Sequence, residues 1–126
     1  MELQKIIFYE RSEIWLENHI IHYQINQPVI DAPLLEALDK ARTQLCQERA
    51  YLDFHDMRQV KYATKSARDY YADPKKTKFV KAGAIWINFR VVETIANYYL
   101  KFHAPPVPTR FFYSQTEALA WLLTYQ

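Results

Sequence analysis

The sequence predicts a single α/β domain in which helices cover a mixed β-sheet. Short segments rich in Ile, Phe, Trp and Tyr fill the first 25 residues, and helical and strand-like patterns alternate from residue 31 onward. The chain has 126 residues, of which 50% are hydrophobic, so it can bury one core of ordinary size. No repeat, low-complexity tract or linker divides it, and residues 1–126 are therefore expected to form one domain.

The first three strands are predicted at Lys5–Tyr9, Glu13–Leu16 and His19–Ile25, separated by short polar segments. In the third segment every second residue is apolar, which is typical of a strand with one buried face. These strands are expected to form an antiparallel meander that ends at Pro28.

The middle of the chain alternates between helix and strand. Asp31 is a predicted N-cap, and the helix that follows carries an apolar stripe at Leu34, Leu38, Ala41 and Leu45. Ala50–Phe54 reads as a strand, and Ala63–Ala72 regains helical spacing. Asp73 precedes Pro74 and should close that helix, because a residue before proline disfavours the α conformation.

The last third of the chain predicts two more strands and two more helices. Ala82–Ile87 is apolar throughout, which suits a strand in the middle of the sheet that is covered on both faces. A helix is predicted from Val91 to Phe102, and a strand at Arg110–Tyr113 follows. Ser114 and Glu117 match a capping box, so a final helix should run nearly to the C-terminus. Right-handed crossovers would make the later strands parallel.

This order of elements resembles the SpoIIAA-like domains, which are related to the STAS domains of anti-sigma-factor antagonists and sulphate transporters. The resemblance covers nearly the whole chain and rests on five segments: Leu52-Asp53, Ser66-Ala67-Arg68, Ala82–Asn88, Pro108–Phe112 and Glu117–Leu122. It implies a SpoIIAA-like mixed sheet, with an N-terminal antiparallel meander followed by βαβ-type units. Its motifs are more specific for the fold than for the function, because fold does not fix function.

In the anti-sigma-factor antagonists, the resemblance implies a switch in which a kinase phosphorylates a serine at a helix start and abolishes partner binding. The corresponding positions here are Thr64 and Ser66. The surrounding segment departs from the family pattern, because it has no glycine and no preceding aspartate. Phosphorylation of Thr64 or Ser66 is therefore one hypothesis, and a plain helix N-cap is the other.

Gly83 is the only glycine in the chain, and this shortage excludes several classes of function. Dinucleotide-binding and phosphate-binding loops need several glycines, and so does the G-x-S-x-G elbow of serine hydrolases. Cys46 lies among helix-forming residues and is expected to be an inert packed side chain. The sequence thus predicts a protein that is not an enzyme and has no cofactor.

The net charge of +2 is too small to imply electrostatic capture of nucleic acid. The one lysine cluster, from Lys75 to Lys81, reads as a solvated loop. The longest apolar runs fall far below the roughly 18 residues that span a bilayer, so no membrane span is expected. The first residues match a secretory signal poorly, and a lone cysteine fits a reducing compartment, so a cytoplasmic location is expected.

Polar residues follow the predicted parallel strands, where ligands of open α/β sheets gather. They define a candidate site for an anion or polar ligand, with loop solvation as the alternative reading: Asp53, His55, Asp56, Asn88 and Arg90. No metal site is predicted, because His19 and His22 should point to opposite faces of a strand and no other close set of ligands completes a site.

Adjacent tyrosines at positions 70–71 and 98–99 raise a further possibility, because neighbouring helical residues lie about 100° apart. One member of each pair, such as Tyr99, would then border a groove for a partner or ligand, and core packing is the alternative. The first functional hypothesis is a regulatory or scaffold module that binds an unknown protein and forms a homodimer. The second is a protein that binds a small apolar ligand or lipid, which requires a cavity of roughly 300 to 1,000 Å³.

Overall fold

A mixed β-sheet organises the chain in the computed structural model, which describes residues 3–9, 11–88 and 106–126. The strands are β1 Leu3–Tyr9, β2 Ser12–Glu17, β3 Ile20–Gln24, β4 Val29–Ile30, β5 Tyr51–Asp56, β6 Tyr62–Ala63, β7 Val80–Trp86 and β8 Thr109–Phe112. The helices are α1 Ala32–Cys46, α2 Lys65–Ala72 and α3 Gln115–Leu123, with a 3₁₀ turn at Pro74–Thr77. Six strands form the main sheet in the order β1-β2-β3-β5-β7-β8, and β4 pairs with β6 in a small separate ribbon.

The predicted antiparallel meander is confirmed, since β1 pairs with β2 and β2 with β3 in antiparallel register. Asn18 and His19 join β2 to β3 with φ angles of 54° and 65°. Two positive φ angles in a two-residue loop match the right-handed twist of a hairpin. The third strand therefore begins at Ile20 and not at His19 as predicted, because His19 belongs to the turn.

The later strands are parallel, as predicted: β3 pairs with β5, β5 with β7 and β7 with β8. On one face of the sheet the apolar side chains of α1 and α2 pack against residues such as Ile14, Ile21 and Ile85. On the other face α3 packs against β5, β7 and β8, where its Leu122 joins a cluster with Leu52 and smaller residues. The predicted fold class, a mixed sheet with helices packed on it, is confirmed.

Two predicted boundaries and one predicted strand position are wrong for identifiable reasons. The strand predicted at Ala50–Phe54 extends to Asp56, because β3 and β7 flank it and pair with it to its end. Ala63 lies in β6 opposite Ile30, and the helix predicted from Ala63 begins only at Lys65. The strand β7 is interior but lies next to the edge strand β8, and so is not the middle of the sheet. The helix predicted from Val91 to Phe102 lies outside the described residues.

Side chains cap the three helices. The Leu34 amide donates to Asp31 Oδ1 at 3.0 Å, and the Glu117 amide donates to Ser114 Oγ at 3.3 Å, which confirms both predicted caps. The Ala67 amide donates to Thr64 Oγ1 at 3.1 Å, so Thr64 is the N-cap of α2. Each cap satisfies a backbone donor that has no partner within its helix.

Replacing the Asp31 cap should destabilise the protein by about 1 kcal/mol, because Asp31→Ala leaves the Leu34 amide without its acceptor. Urea unfolding followed by circular dichroism measures the change. Asp31→Asn keeps an acceptor oxygen and should stay within about 0.5 kcal/mol of the original chain. Equal losses in both variants would contradict the capping role.

Candidate functional site

The polar residues predicted around β5 lie on two different faces of the sheet. Asp53 and His55 point towards α1 and α2, where Asp53 contacts Arg42. Asp56, three residues after Asp53, lies on the opposite face, where Arg58 joins it and stacks on Trp86. Successive strand residues alternate between faces, and this alternation divides the predicted site in two.

Arg42 and Asp53 form a buried ion pair between α1 and β5. Arg42 Nη2 donates to Asp53 Oδ1 at 2.8 Å, and Nε lies 3.2 Å from both carboxylate oxygens. Arg42 Nη2 also donates to the Phe79 carbonyl at 2.8 Å, and Tyr23 Oη donates to Asp53 Oδ2 at 3.3 Å. Only 7% of the Arg42 side chain and 5% of the Asp53 side chain are exposed to solvent. The pair therefore fixes α1 against the sheet by charge as well as by packing.

Burial and charge act in opposite directions on these groups. Burial raises the pKa of Asp53 above its ordinary value, and the Arg42 charge with its hydrogen bonds offsets only part of that rise. Burial also raises the pKa of Tyr23, and the neighbouring Asp53 carboxylate adds to that rise. Tyr23 therefore remains a protonated donor at neutral pH.

His55 lies beside this pair and stays uncharged. Its ring stacks on Tyr23 with the centroids 4.2 Å apart, and its edge meets Tyr71 at 6.4 Å. Burial, followed by repulsion from the Arg42 charge, lowers the pKa of His55 to about 3. Nε2 lies 3.9 Å from Asp53 Oδ2, beyond hydrogen-bond distance, and Nδ1 is buried without a hydrogen-bond partner in the described part of the chain.

A cavity of about 130 Å³ opens beside His55, between α1, α2 and the sheet. Its wall is mostly apolar and includes Leu38, Gly83, Ile85 and Phe111. Its polar lining includes Tyr23, Arg42, Asp53 and His55, and the charged residues Asp39, Arg68 and Lys76 also line it. Tyr23, Arg42 and Asp53 already bond to one another, so the His55 Nδ1 atom is left with unused hydrogen-bonding capacity.

The opposite face of the sheet carries a separate group of rings and charges. Arg58 makes a two-point contact with Asp56, at 3.0 and 2.9 Å, and its guanidinium lies 3.6 Å from the centre of the Trp86 ring. Trp15 stacks on His22 nearby, with the ring centroids 5.2 Å apart. A hollow of about 270 Å³ lies among these residues. Asn88 is exposed after β7, and Arg90 and Tyr99 lie outside the described residues.

The β4–β6 ribbon lies at the carboxyl end of the parallel strands and exposes two apolar side chains. Val29 and Tyr62 pair across it and are 44% and 51% exposed. Tyr113, just after β8 at the same edge, is 49% exposed. The amides of Lys61 and Tyr62 donate to the Pro28 carbonyl, at 2.7 and 3.1 Å, which holds the ribbon in place.

Thr64 and Ser66, the two predicted phosphorylation positions, follow this ribbon directly. Thr64 Oγ1 accepts the Ala67 amide, and its distance to Ser66 Oγ is 3.0 Å. Thr64 is half-buried and Ser66 is exposed. The structure therefore assigns Thr64 a capping role, and phosphorylation of either residue stays a prediction.

Sequence reasoning missed Arg42, Val29 and Tyr62. Arg42 carried a usable signal, because it lies four residues after Leu38 and next to Ala41 on the apolar stripe of α1. An arginine in that stripe must find a buried carboxylate, and Asp53 lay in an apolar segment. Val29 and Tyr62 carried no such signal, because two-residue strands show no periodicity.

The described parts of the chain contain neither a cluster of metal-ligating side chains nor a membrane-spanning helix. Over residues 3–9, 11–88 and 106–126, no group of three His, Cys, Asp or Glu side chains could hold a metal ion. No helix among the same residues is long and apolar enough to span a membrane.

Comparison with known proteins identifies relatives by family and fold. A family model described as a domain of unknown function, DUF7793, matches residues 14–126. An uncharacterised protein of the DUF3478 family from Shewanella loihica PV-4, whose crystal structure has a SpoIIAA-like fold, is 16% identical. It aligns over 96% of this chain and 92% of that chain with a TM-score of 0.58, which confirms the predicted SpoIIAA-like fold.

A protein of unknown function from Arthrobacter sp. FB24 is 26% identical over 87% of this chain and 97% of that chain, with a TM-score of 0.34. No curated protein matches the chain.

Breaking the buried ion pair should cost about 3–5 kcal/mol, because Arg42→Met leaves the Asp53 carboxyl buried without its charged partner. Chemical unfolding of the purified protein measures the loss. The double variant Arg42→Met/Asp53→Leu removes both charges and should regain most of that stability. If the double variant is as unstable as Arg42→Met, the loss of stability does not come from leaving Asp53 without Arg42.

Acid should destabilise the protein through His55. The folded pKa of His55, about 3, lies below the unfolded value of 6.5, so the unfolded chain binds the proton first as the pH falls. Stability from this group is complete above pH 6.5 and declines below it, by about 2 kcal/mol at pH 5. His55→Phe should remove this part of the slope when unfolding is compared between pH 7 and pH 5. An unchanged slope in His55→Phe would refute the assignment.

Proposed function

We propose that this chain, which belongs to the DUF7793 family, is a non-enzymatic regulatory or scaffold module that binds a protein at the β4–β6 ribbon. The observation that carries this proposal is the pair of exposed side chains Val29 and Tyr62, side by side on the ribbon. Three of the five large hydrophobic side chains that the described residues expose lie at this edge of the sheet: Val29, Tyr62 and Tyr113.

The ribbon has the properties of a binding surface that is already formed before the partner arrives. Tyrosine offers a large ring and a polar tip, and it is enriched at protein interfaces. Main-chain bonds to the Pro28 and Ile30 carbonyls fix the ribbon, so little conformational freedom remains to be lost on binding. A stable complex buries at least about 1,000 Å² in total, so the partner must also cover neighbouring residues.

The neighbouring hydroxyls give this surface a means of control. Ser66 is exposed in the first turn of α2, and Thr64 caps that turn. A phosphoryl group on Ser66 would add a charge of about −2 close to Tyr62, and it would change the surface that the partner meets. In this proposal Thr64 or Ser66 regulates binding.

The cavity volume favours an interaction module over a lipid carrier. A lipid-sized ligand needs roughly 300 to 1,000 Å³, whereas the cavity beside His55 holds about 130 Å³. A homodimer and a cytoplasmic location complete the proposal, and the buried free thiol of Cys46 is compatible with a reducing compartment.

Removing the tyrosine ring should abolish partner capture. A partner protein should co-purify with the tagged chain from its native host. We expect the amount recovered with Tyr62→Ser to be at least tenfold lower, because the variant lacks the central ring of the surface. Quantitative mass spectrometry of the purified complexes measures the loss, and size-exclusion chromatography with light scattering reports the homodimer.

Leu123→Ser is the matched control, because Leu123 is 50% exposed at the far end of α3 and Tyr62 is 51% exposed. Both variants should unfold within about 0.5 kcal/mol of the original chain, as exposed substitutions usually do. Equal partner recovery from Tyr62→Ser and Leu123→Ser would overturn the proposed surface.

A further inference from the structure

We infer that the cavity beside His55 is a binding site for a small neutral aromatic molecule that carries one hydrogen-bond donor, of the phenol class. This site goes beyond the proposed protein-binding function and lies inside the domain, between α1, α2 and the sheet. Three independent observations carry it: the glycine in the cavity wall, the unpartnered nitrogen of His55, and the mutual neutralisation of Arg42 and Asp53.

Gly83 keeps space open in the cavity wall. It lies within β7, and its φ is not in the left-handed region that favours glycine. A Cβ atom built at this position would meet no described atom nearer than Thr109 Oγ1 at 4.0 Å, so crowding among the described residues does not require glycine either. Glycine inside a strand costs stability and often marks a place where a ligand approaches the backbone closely.

His55 lines this space and carries one buried nitrogen without a hydrogen-bond partner among the described residues. Nε2 is the ring nitrogen near Asp53, at 3.9 Å from Oδ2, and the negative carboxylate favours the proton on that nitrogen. Nδ1 then carries the lone pair, and it is buried with no partner among the described residues. Because an unsatisfied buried acceptor is costly, an O–H or N–H group of a ligand would stabilise it.

The buried Arg42–Asp53 pair beside His55 offers no free charge to an ionic ligand. Arg42 and Asp53 neutralise each other at 2.8 Å, and Tyr23 completes the carboxylate. A charged ligand would enter a mostly apolar space with no free countercharge from this pair. The volume of about 130 Å³ is close to the 150 Å³ of an engineered apolar cavity that takes up benzene, so a single ring fits.

The test is isothermal titration of the full chain with phenol, toluene and benzoate. Phenol should bind saturably at one site and at least tenfold more tightly than toluene, because only phenol donates to Nδ1. Benzoate should show no saturable binding. No saturable binding of phenol, or toluene binding as tightly as phenol, would overturn the inference.

Two variants locate the site. Gly83→Val fills the cavity and should weaken phenol binding at least tenfold, while thermal unfolding shows whether it has folded. If Gly83→Val fails to fold, Gly83→Ala serves in its place, because its Cβ meets no described atom closer than 4.0 Å. It should weaken binding at least twofold. Unchanged phenol affinity in a folded Gly83 variant would place the site elsewhere and refute the inference.

His55→Phe keeps a ring at the same place and removes the acceptor. It should reduce phenol to the affinity of toluene, and a persistent preference for phenol would contradict the role of Nδ1. Phenol binding can be tested independently of partner binding at the β4–β6 ribbon. Tyr62→Ser should bind phenol like the original chain, so failure at either site is seen separately.

Discussion

The buried pair of Arg42 and Asp53 is the constraint on which the arrangement of this domain depends. It joins α1 to β5, and its third contact, to the Phe79 carbonyl, reaches the segment just before β7. Apolar packing alone would tolerate small shifts of α1 over the sheet, because hydrophobic contact has no direction. A two-point contact between a guanidinium and a carboxylate does have a direction, and it sets one position of the helix.

The same pair explains why a polar cluster persists within an apolar core. Each charge alone would be costly to bury, whereas together they cancel and hydrogen-bond each other at Nε and Nη2 of Arg42. His55 takes no part in these hydrogen bonds. It is held by ring stacking on Tyr23 and remains neutral, so the cluster contains one polar atom that the described part of the fold does not satisfy. The unused capacity of the cluster is therefore confined to one atom beside the cavity.

Local signals in the sequence were sufficient for much of the fold. The caps at Asp31 and Ser114 and the apolar stripe of α1 depend on residues within one or two turns, and the structure confirms them. Right-handed crossovers then supplied the parallel pairing of the later strands. The β4–β6 ribbon could not be predicted, because two-residue strands exist only through pairing between segments about 30 residues apart.

The candidate site was predicted only in part. A strand that ended at Phe54 would have put His55 and Asp56 together in one loop, but β5 continues to Asp56 and sends them to opposite faces. As the only glycine in the chain, Gly83 indicated from sequence only that glycine-rich loops are absent. Its position in the cavity wall depends on how α1 and α2 lie over β7, which no single segment of sequence records.

The ribbon also connects the inside of the domain to its surface. Ile30 and Ala63 line the cavity with their side chains buried, and their neighbours Val29 and Tyr62 face solvent. In each of these two-residue strands, one side chain is buried and the other is exposed, because successive strand residues point to opposite faces. A molecule in the cavity would therefore contact the inner side of the same ribbon that presents Tyr62 on its outer side. Each exposed residue of the ribbon is therefore the direct chain neighbour of a buried residue.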